Sequence, residues 1–203
     1  MTQAEAPRLL LASGSATRAA LLRAAGLRFE TAVPGVDEAA IKEAARAEGI
    51  PASETALMLA EAKAVRLSRR DPDAVVIGAD QMLVCEGEWF DKPADAAAAE
   101  AQLARLAGRR HELVTAVLCH RSGQRIWQHV AVPRLTLRPL RPEVIAGYVA
   151  AEGEAVTGSV GGYRIEGPGI RLFAAIEGEH TAILGLPMLP LLGFLRQHGV
   201  LAE

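Results

Sequence analysis

The stretch Ala74-Val75-Val76-Ile77-Gly78, continued by Ala79-Asp80-Gln81, decides the fold of this sequence. A near-continuous apolar run without polar alternation is the pattern of a strand in the middle of a sheet covered on both faces. The turn Asp71-Pro72-Asp73 introduces it. The run predicts Asp80 at the C-terminal end of the strand, where a buried chain meets solvent, and ligand sites of α/β sheets gather at such ends.

Upstream, Arg8 to Ala12 reads as another buried strand. The small polar loop Ser13-Gly14-Ser15-Ala16 leads into a helix from Thr17 to Ala25, stopped by Gly26. Val33 to Glu38 reads as a loop or short extended piece and Ala39 to Ala47 as a short helix. Pro51 and Ser53 open a helix to about Arg69 with Leu57, Ala60, Ala64 and Leu67 on its apolar face and Lys63 beside that stripe.

Downstream, Met82 to Cys85 and Glu88 to Phe90 form a hairpin across Glu86-Gly87, and an alanine-rich helix runs from its Asp95 cap to Ala107, closed by Gly108. Glu112 to Cys119, Gln124 to Val132 and Leu135 to Leu137 are extended, the first two antiparallel through Arg121-Ser122-Gly123. A helix begins at Pro142 and runs to about Ala151, Thr157 to Gly169 is glycine-rich and polar, Thr181 to Leu184 is strand-like, and Pro187 to Gln197 is a last helix. The expected fold class is α/β, a mixed and strongly twisted central sheet flanked by helices, with two lobes around an active-site cleft in a single domain over residues 1–203.

The composition, 50% hydrophobic and 23% charged over 203 residues, is that of a chain that folds. A net charge of -2 provides no global field for a nucleic acid, and 4% aromatic residues without an interleaved basic patch argue against an RNA-binding module. Any phosphate binding must therefore be local. The residues from Met1 to Pro7 do not have the form of a signal peptide. The longest apolar stretches, such as Ala182 to Phe194, are broken by glycine and proline, so no membrane span or membrane partner is expected. Cys85 and Cys119 lie in apolar runs without metal-ligand spacing and read as reduced core residues of a cytoplasmic protein.

Charged and hydroxyl residues recur at the ends of the expected elements: Ser13, Ser15, Thr17 and Arg18, then Asp37 and Glu38, Lys63, Asp80, Lys92, His111 and Thr115, and Glu166. Alternating charge of this kind suits an oxyanion together with a metal. The Ser13 to Arg18 loop, with amides at a helix N-terminus and a guanidinium fork, can cradle phosphate, though capping alone would also account for it. Asp80 and Glu38 can hold Mg²⁺ or cap the next element, and Lys63 and Lys92 can match phosphate charge or serve a solvated face.

Other chemistries lack their signatures. The lysine of a P-loop is missing from the first loop, and no GxGxxG follows the first strand. The five histidines occupy separate elements without zinc spacing, so His111 reads as a hydrogen-bonding or surface residue. Ser159, in Thr157-Gly158-Ser159-Val160-Gly161, is one residue out of register for a nucleophile elbow, which leaves water as the attacking group.

The ordered motifs Leu11-Ala12-Ser13-Gly14-Ser15-Ala16-Thr17-Arg18, Val36-Asp37-Glu38, Leu59-Ala60-Glu61-Ala62-Lys63-Ala64, Ile77-Gly78-Ala79-Asp80-Gln81 and Lys92-Pro93 resemble those of the Maf family of nucleoside triphosphate pyrophosphatases. So do His111 with Val114-Thr115, the run Gly162-Tyr163-Arg164-Ile165-Glu166-Gly167, Ile176-Glu177-Gly178 and Gly185-Leu186-Pro187. The likeness spans about Leu9 to Leu195. It departs from the usual pattern at Ala16 and Thr17, which stand where the family has proline and a first arginine.

The resemblance implies hydrolysis of a nucleoside triphosphate to a monophosphate and pyrophosphate, with Mg²⁺ or Mn²⁺ as cofactor. By the same likeness Glu38 and Asp80 handle metal and attacking water, Lys63, Lys92 and Arg18 neutralise phosphate, and Ser13, Ser15 and Thr17 lie in the substrate loop. Gln81 and Glu166 in place of threonine and glutamine resemble the 7-methyl-GTP branch. A dTTP or UTP pyrophosphatase, or a nucleotide-binding regulator of division with little turnover, remains an alternative. A homodimer is also implied.

Overall fold

The computed structural model describes residues 2–202. Eight strands form one mixed sheet among these residues: β1 Leu9–Ala12, β2 Glu30–Ala32, β3 Val75–Cys85, β4 Glu88–Phe90, β5 Arg110–Arg121, β6 Gln124–Ala131, β7 Arg134–Leu137 and β8 Phe173–Glu177. The order is β2-β1-β3-β5-β7-β8, with β4 pairing β3 and β6 pairing β5. The helices are α1 Ala16–Ala24, α2 Glu38–Ala47, α3 Ala52–Arg70, α4 Ala96–Leu106, α5 Pro142–Glu152, α6 His180–Ile183 and α7 Met188–Gln197.

The chain divides into two compact units. The first holds the residues up to Gln81, Thr115–Ala131 and those from Glu179 on; the second holds Met82–Val114 and Val132–Gly178. In the first unit β1 lies parallel between β2 and β3, with Leu11 opposite Ile77. Side chains alternate across a strand. Leu9 and Leu11, Val75, Ile77 and Ala79, and Val117 and Cys119 therefore share a face, where they pack with Leu22 and with Leu191 and Phe194 of α7.

The opposite face of β3 receives α3, and Gly78 is what admits it. A Cβ at Gly78 would stand 2.3 Å from the carbonyl oxygen of Ala60 and 2.9 Å from the Ala64 Cβ. A glycine inside a strand marks such a close backbone approach. Burial on both faces thus agrees with the apolar run from Ala74 to Gly78.

In the second unit the C-terminal end of β3 pairs with β4, Leu83 facing Phe90, through a turn in which Glu86 and Gly87 both have positive φ. Glycine suits that turn because it has no Cβ to clash. β7 lies antiparallel to both β5 and β8. Asp95 caps α4 by accepting from the Ala98 amide at 2.8 Å. The glycine-rich segment forms three short 3-10 turns at Gly153–Gly158, Val160–Gly162 and Pro168–Leu172.

Three expectations need correction. β3 does not end near Asp80: it continues to Cys85 because its far half pairs with β4, so Asp80 is a mid-strand residue. Lys63 lies within the buried stripe of α3, with Ala56, Leu59, Ala60 and Ala64, while Leu57 and Leu67 are only half-buried. Thr181 to Leu184 is no strand but the short helix α6. There Thr181 Oγ1 donates to the Glu179 carboxylate at 2.5 Å and accepts from the Met188 amide at 3.1 Å, links that curl the segment. Strands β2 and β8 went unread because they are largely exposed and lack an apolar alternation.

Candidate active site

The first unit gathers Glu38, Lys63 and Asp80. Asp37 caps α2 by accepting from the Ala40 amide at 3.0 Å, which sets Glu38 in the first helical turn, where the helix field favours a carboxylate. α2 packs on α3, and α3 packs on the Gly78 face of β3. Asp80 follows Gly78 by two residues and so shares its face.

Lys63 Nζ consequently lies 2.6 Å from Asp80 Oδ1 and 2.9 Å from Glu38 Oε1. Lys63 and Asp80 are only 8% and 5% exposed, whereas the Glu38 side chain is 46% exposed. Asp80 Oδ2 is buried and has no hydrogen-bond partner among the described residues. Partial burial pushes the Glu38 carboxyl upward, but the Lys63 hydrogen bond and the charges of Lys63, Lys42 and Arg18 outweigh it, leaving its pKa below the usual range.

Arg18 joins the same centre from α1. Its Nε donates to Gly185 O at 2.8 Å, and its Nη1 donates to Ser13 Oγ at 3.2 Å and Ala79 O at 2.9 Å. Burial lowers its pKa, while Asp80 and Glu38 act in the opposite sense. Ser15 is the N-cap of α1, accepting from the Arg18 amide, and Ser13 Oγ also accepts from the Ser15 amide. The capping reading of this loop therefore holds for Ser15, and the loop is pre-ordered around Arg18. Thr17 is half-buried in the first turn of α1.

Gln81, one residue past Asp80, belongs to the other face of β3. Its Nε2 donates toward Thr115 Oγ1, Ala182 O and Ile183 O at 2.8, 3.0 and 3.1 Å. Its amide nitrogen is therefore engaged by the protein.

Lys92 and Glu166 belong to the second unit. Lys92 is exposed just beyond β4. Glu166 Oε1 is 3.7 Å from Arg164 Nε, and Arg164 also reaches the buried carboxylate of Glu152 at 3.4 Å. His111 is a buried interior residue, not a surface one. Its Nε2 is 2.8 Å from Tyr163 Oη, and burial lowers its pKa to about 4 against the pull of a backbone hydrogen bond at Arg109.

Sequence reasoning passed over Gly78 as a packing residue, although a lone glycine in an apolar strand is itself the signal of close approach. It also passed over the carbonyls of residues 182, 183 and 185 as partners of Gln81 and Arg18, and no side-chain motif announces a backbone acceptor.

The family model described as Maf-like protein matches residues 8–198. The chain belongs to the Maf-like family. This Maf-like chain is 54% identical over 194 residues to a protein of Granulibacter bethesdensis named nucleoside triphosphate pyrophosphatase, covering 96% of this chain and 98% of that protein. A protein of the same name from Rhodospirillum rubrum is 49% identical, with 96% of each chain covered. A Brucella abortus protein named 7-methyl-GTP pyrophosphatase is 44% identical, covering 94% of the Maf-like chain and 96% of the relative. No helix among the described residues is long and apolar enough to cross a membrane.

Proposed function

We infer that this chain is a nucleoside triphosphate pyrophosphatase, a hydrolase that cleaves the bond between the α and β phosphates. The observation that carries the reading is Lys63 shared by Asp80 and Glu38 in a Maf-like chain, with one Asp80 oxygen left buried and without a partner among the described residues. Water attacks the α phosphorus and gives its proton to Asp80. The bond to the bridging oxygen breaks, so that a nucleoside monophosphate and pyrophosphate leave.

Lys63 holds Asp80 as an oriented carboxylate, and a base must be positioned before it can accept a proton. The Arg18 contacts engage Nε and Nη1. We therefore assign its Nη2 to phosphate, where a guanidinium offers paired donors. Lys63 and Arg18 oppose the charge that builds on the departing pyrophosphate. Lys92 enters this reading by family likeness.

The donor set fits a hard divalent cation, Mg²⁺ or Mn²⁺. Among the described residues no group of three or more His, Cys, Asp or Glu forms a metal cage. Mg²⁺ needs none when it is shared with a substrate, since one or two carboxylates plus phosphates and water complete its shell. Asp80 through its free Oδ2, with Glu38, would hold it. Such an ion supplies charge neutralisation of the triphosphate and a more acidic water.

The base we favour is 7-methylguanine or another modified purine. The relative that bears the 7-methyl-GTP name supports this, as do the acceptor groups of Gln81 and Glu166, which suit the N–H donors of a guanine edge. Cys85 and Cys119 are free and buried, and burial raises both thiol pKa values, so they fit inert thiols of the reducing cytoplasm.

The test is pyrophosphate release from 7-methyl-GTP, GTP, UTP, dTTP and CTP at subsaturating concentration with Mg²⁺ or Mn²⁺. Preferred release from 7-methyl-GTP is expected. Dominant turnover of UTP or dTTP would overturn the base assignment. Absence of release from every nucleotide would overturn the enzyme and favour a nucleotide-binding regulator.

A further inference from the structure

Gln81 and Thr115 form a polar network that the phosphate chemistry does not use. The Gln81 amide nitrogen faces three oxygens, those of Thr115, Ala182 and Ile183. Thr115 is fully buried on β5, and its hydroxyl donates to Ala182 O at 3.0 Å. A hydroxyl has one proton. Toward Gln81, Thr115 Oγ1 can then only accept.

All three partners are acceptors, which fixes the orientation of the amide: turning it over would set its carbonyl oxygen against three other oxygens. Gln81 Oε1 has no hydrogen bond within the described residues, and it is not among the buried polar atoms left without a partner, so it remains accessible. The carbonyls that hold Gln81 are themselves held. Glu179 Oε1 accepts from Thr181 Oγ1 and from the Leu189 amide, and Thr181 Oγ1 accepts from the Met188 amide, which ties α6 to the start of α7.

We propose that Thr115 is a positioning residue for base selection, which fixes the Gln81 amide as an acceptor only, so that the site reads an N–H of the nucleobase and rejects a carbonyl there. The proposal rests on the reading of Gln81 as base-facing. A guanine edge offers adjacent N1–H and N2–H donors, whereas the single N3–H of uracil is flanked by carbonyls. With its donor withheld, Gln81 has nothing to give those carbonyls. Removing the Thr115 hydroxyl takes away one of the three acceptors of the amide and the donor that holds Ala182 O, so the amide is kept less firmly in place and the discrimination relaxes.

The experiment measures kcat and KM for GTP, 7-methyl-GTP and UTP with the full chain and the variants Thr115→Val, Thr115→Ser and Gln81→Leu. Thr115→Val is expected to lower the ratio of kcat/KM for GTP over UTP about tenfold, the scale of one lost hydrogen bond. The change should fall on KM more than on kcat, and Thr115→Ser should restore the ratio to within about twofold, since it keeps the hydroxyl. Should Thr115→Val fail to fold, Thr115→Ala carries the same comparison.

An unchanged ratio in Thr115→Val, with the ratio altered in Gln81→Leu, overturns the positioning role and leaves Gln81 as a base contact. Equal slowing of all three nucleotides in Thr115→Val also overturns it, because a purely structural defect does not choose among bases. An unchanged ratio in Gln81→Leu shows that Gln81 does not face the base, and the underlying reading falls first.

Discussion

Lys63 and Asp80, 17 positions apart in the chain, meet in a buried ion pair of 2.6 Å, with the second Asp80 oxygen left without a partner among the described residues. Desolvation makes such a pair costly for stability alone. An unpaired buried oxygen adds to that cost. On the proposed function that oxygen faces the ligand, and the consequences can be measured.

Asp80→Asn keeps the size of the side chain and removes its charge and basicity. We expect kcat to fall by at least about 10², the scale of a lost general base. Pyrophosphate release in a metal-saturated assay measures it. Near-normal turnover would reject the proton-accepting role.

Lys63→Met removes the cation bonded to both Asp80 and Glu38. Leaving a buried charge without its partner costs about 3 kcal/mol or more. Urea unfolding at pH 7 should show that loss, and Lys63→Met combined with Asp80→Leu should recover part of it. A single variant as stable as the parent would mean that the pair is already solvated.

Gly78→Ala places a methyl group 2.3 Å from the Ala60 carbonyl oxygen, and backbone cannot yield as a flexible side chain does. We expect a loss of about 3 kcal/mol, the upper range of overpacking. Activity should fall as well, because α3 carries Lys63 outward with it. Unchanged melting and turnover together would refute the seating role of Gly78.

His111 is buried with a pKa of about 4, against an ordinary 6.5, chiefly through desolvation. Between those values the unfolded chain binds the additional proton. The contribution of neutral His111 is therefore complete above pH 6.5 and is lost as pH falls from 6.5 toward 4. The shift corresponds to about 3 kcal/mol. Burial lowers His120 as well, so it adds in the same sense. His111→Gln should lose correspondingly less stability between pH 7 and pH 4 in urea titrations, and parallel curves for variant and parent would contradict the assignment.

Much of this protein was legible before any coordinate. The apolar run at Val75 to Ile77 marked an interior strand, since only burial on both faces tolerates so little polarity. Asp95 and Ser15 each cap a helix, a local interaction between near neighbours in the chain. The identities of Glu38, Lys63 and Asp80 as candidates came from residue type and motif order.

Tertiary structure decided what lies far apart in sequence. Lys63 reads as a flank residue of α3 by periodicity, yet it is buried because Gly78 lets the helix sit on β3 and Asp80 compensates its charge. The donor of Gln81 is engaged by carbonyls about a hundred positions away, on a segment whose helical turn depends on Glu179 and Thr181. A sequence records which groups a chain can offer, whereas burial and the partner across the interior determine which of them remain available for chemistry.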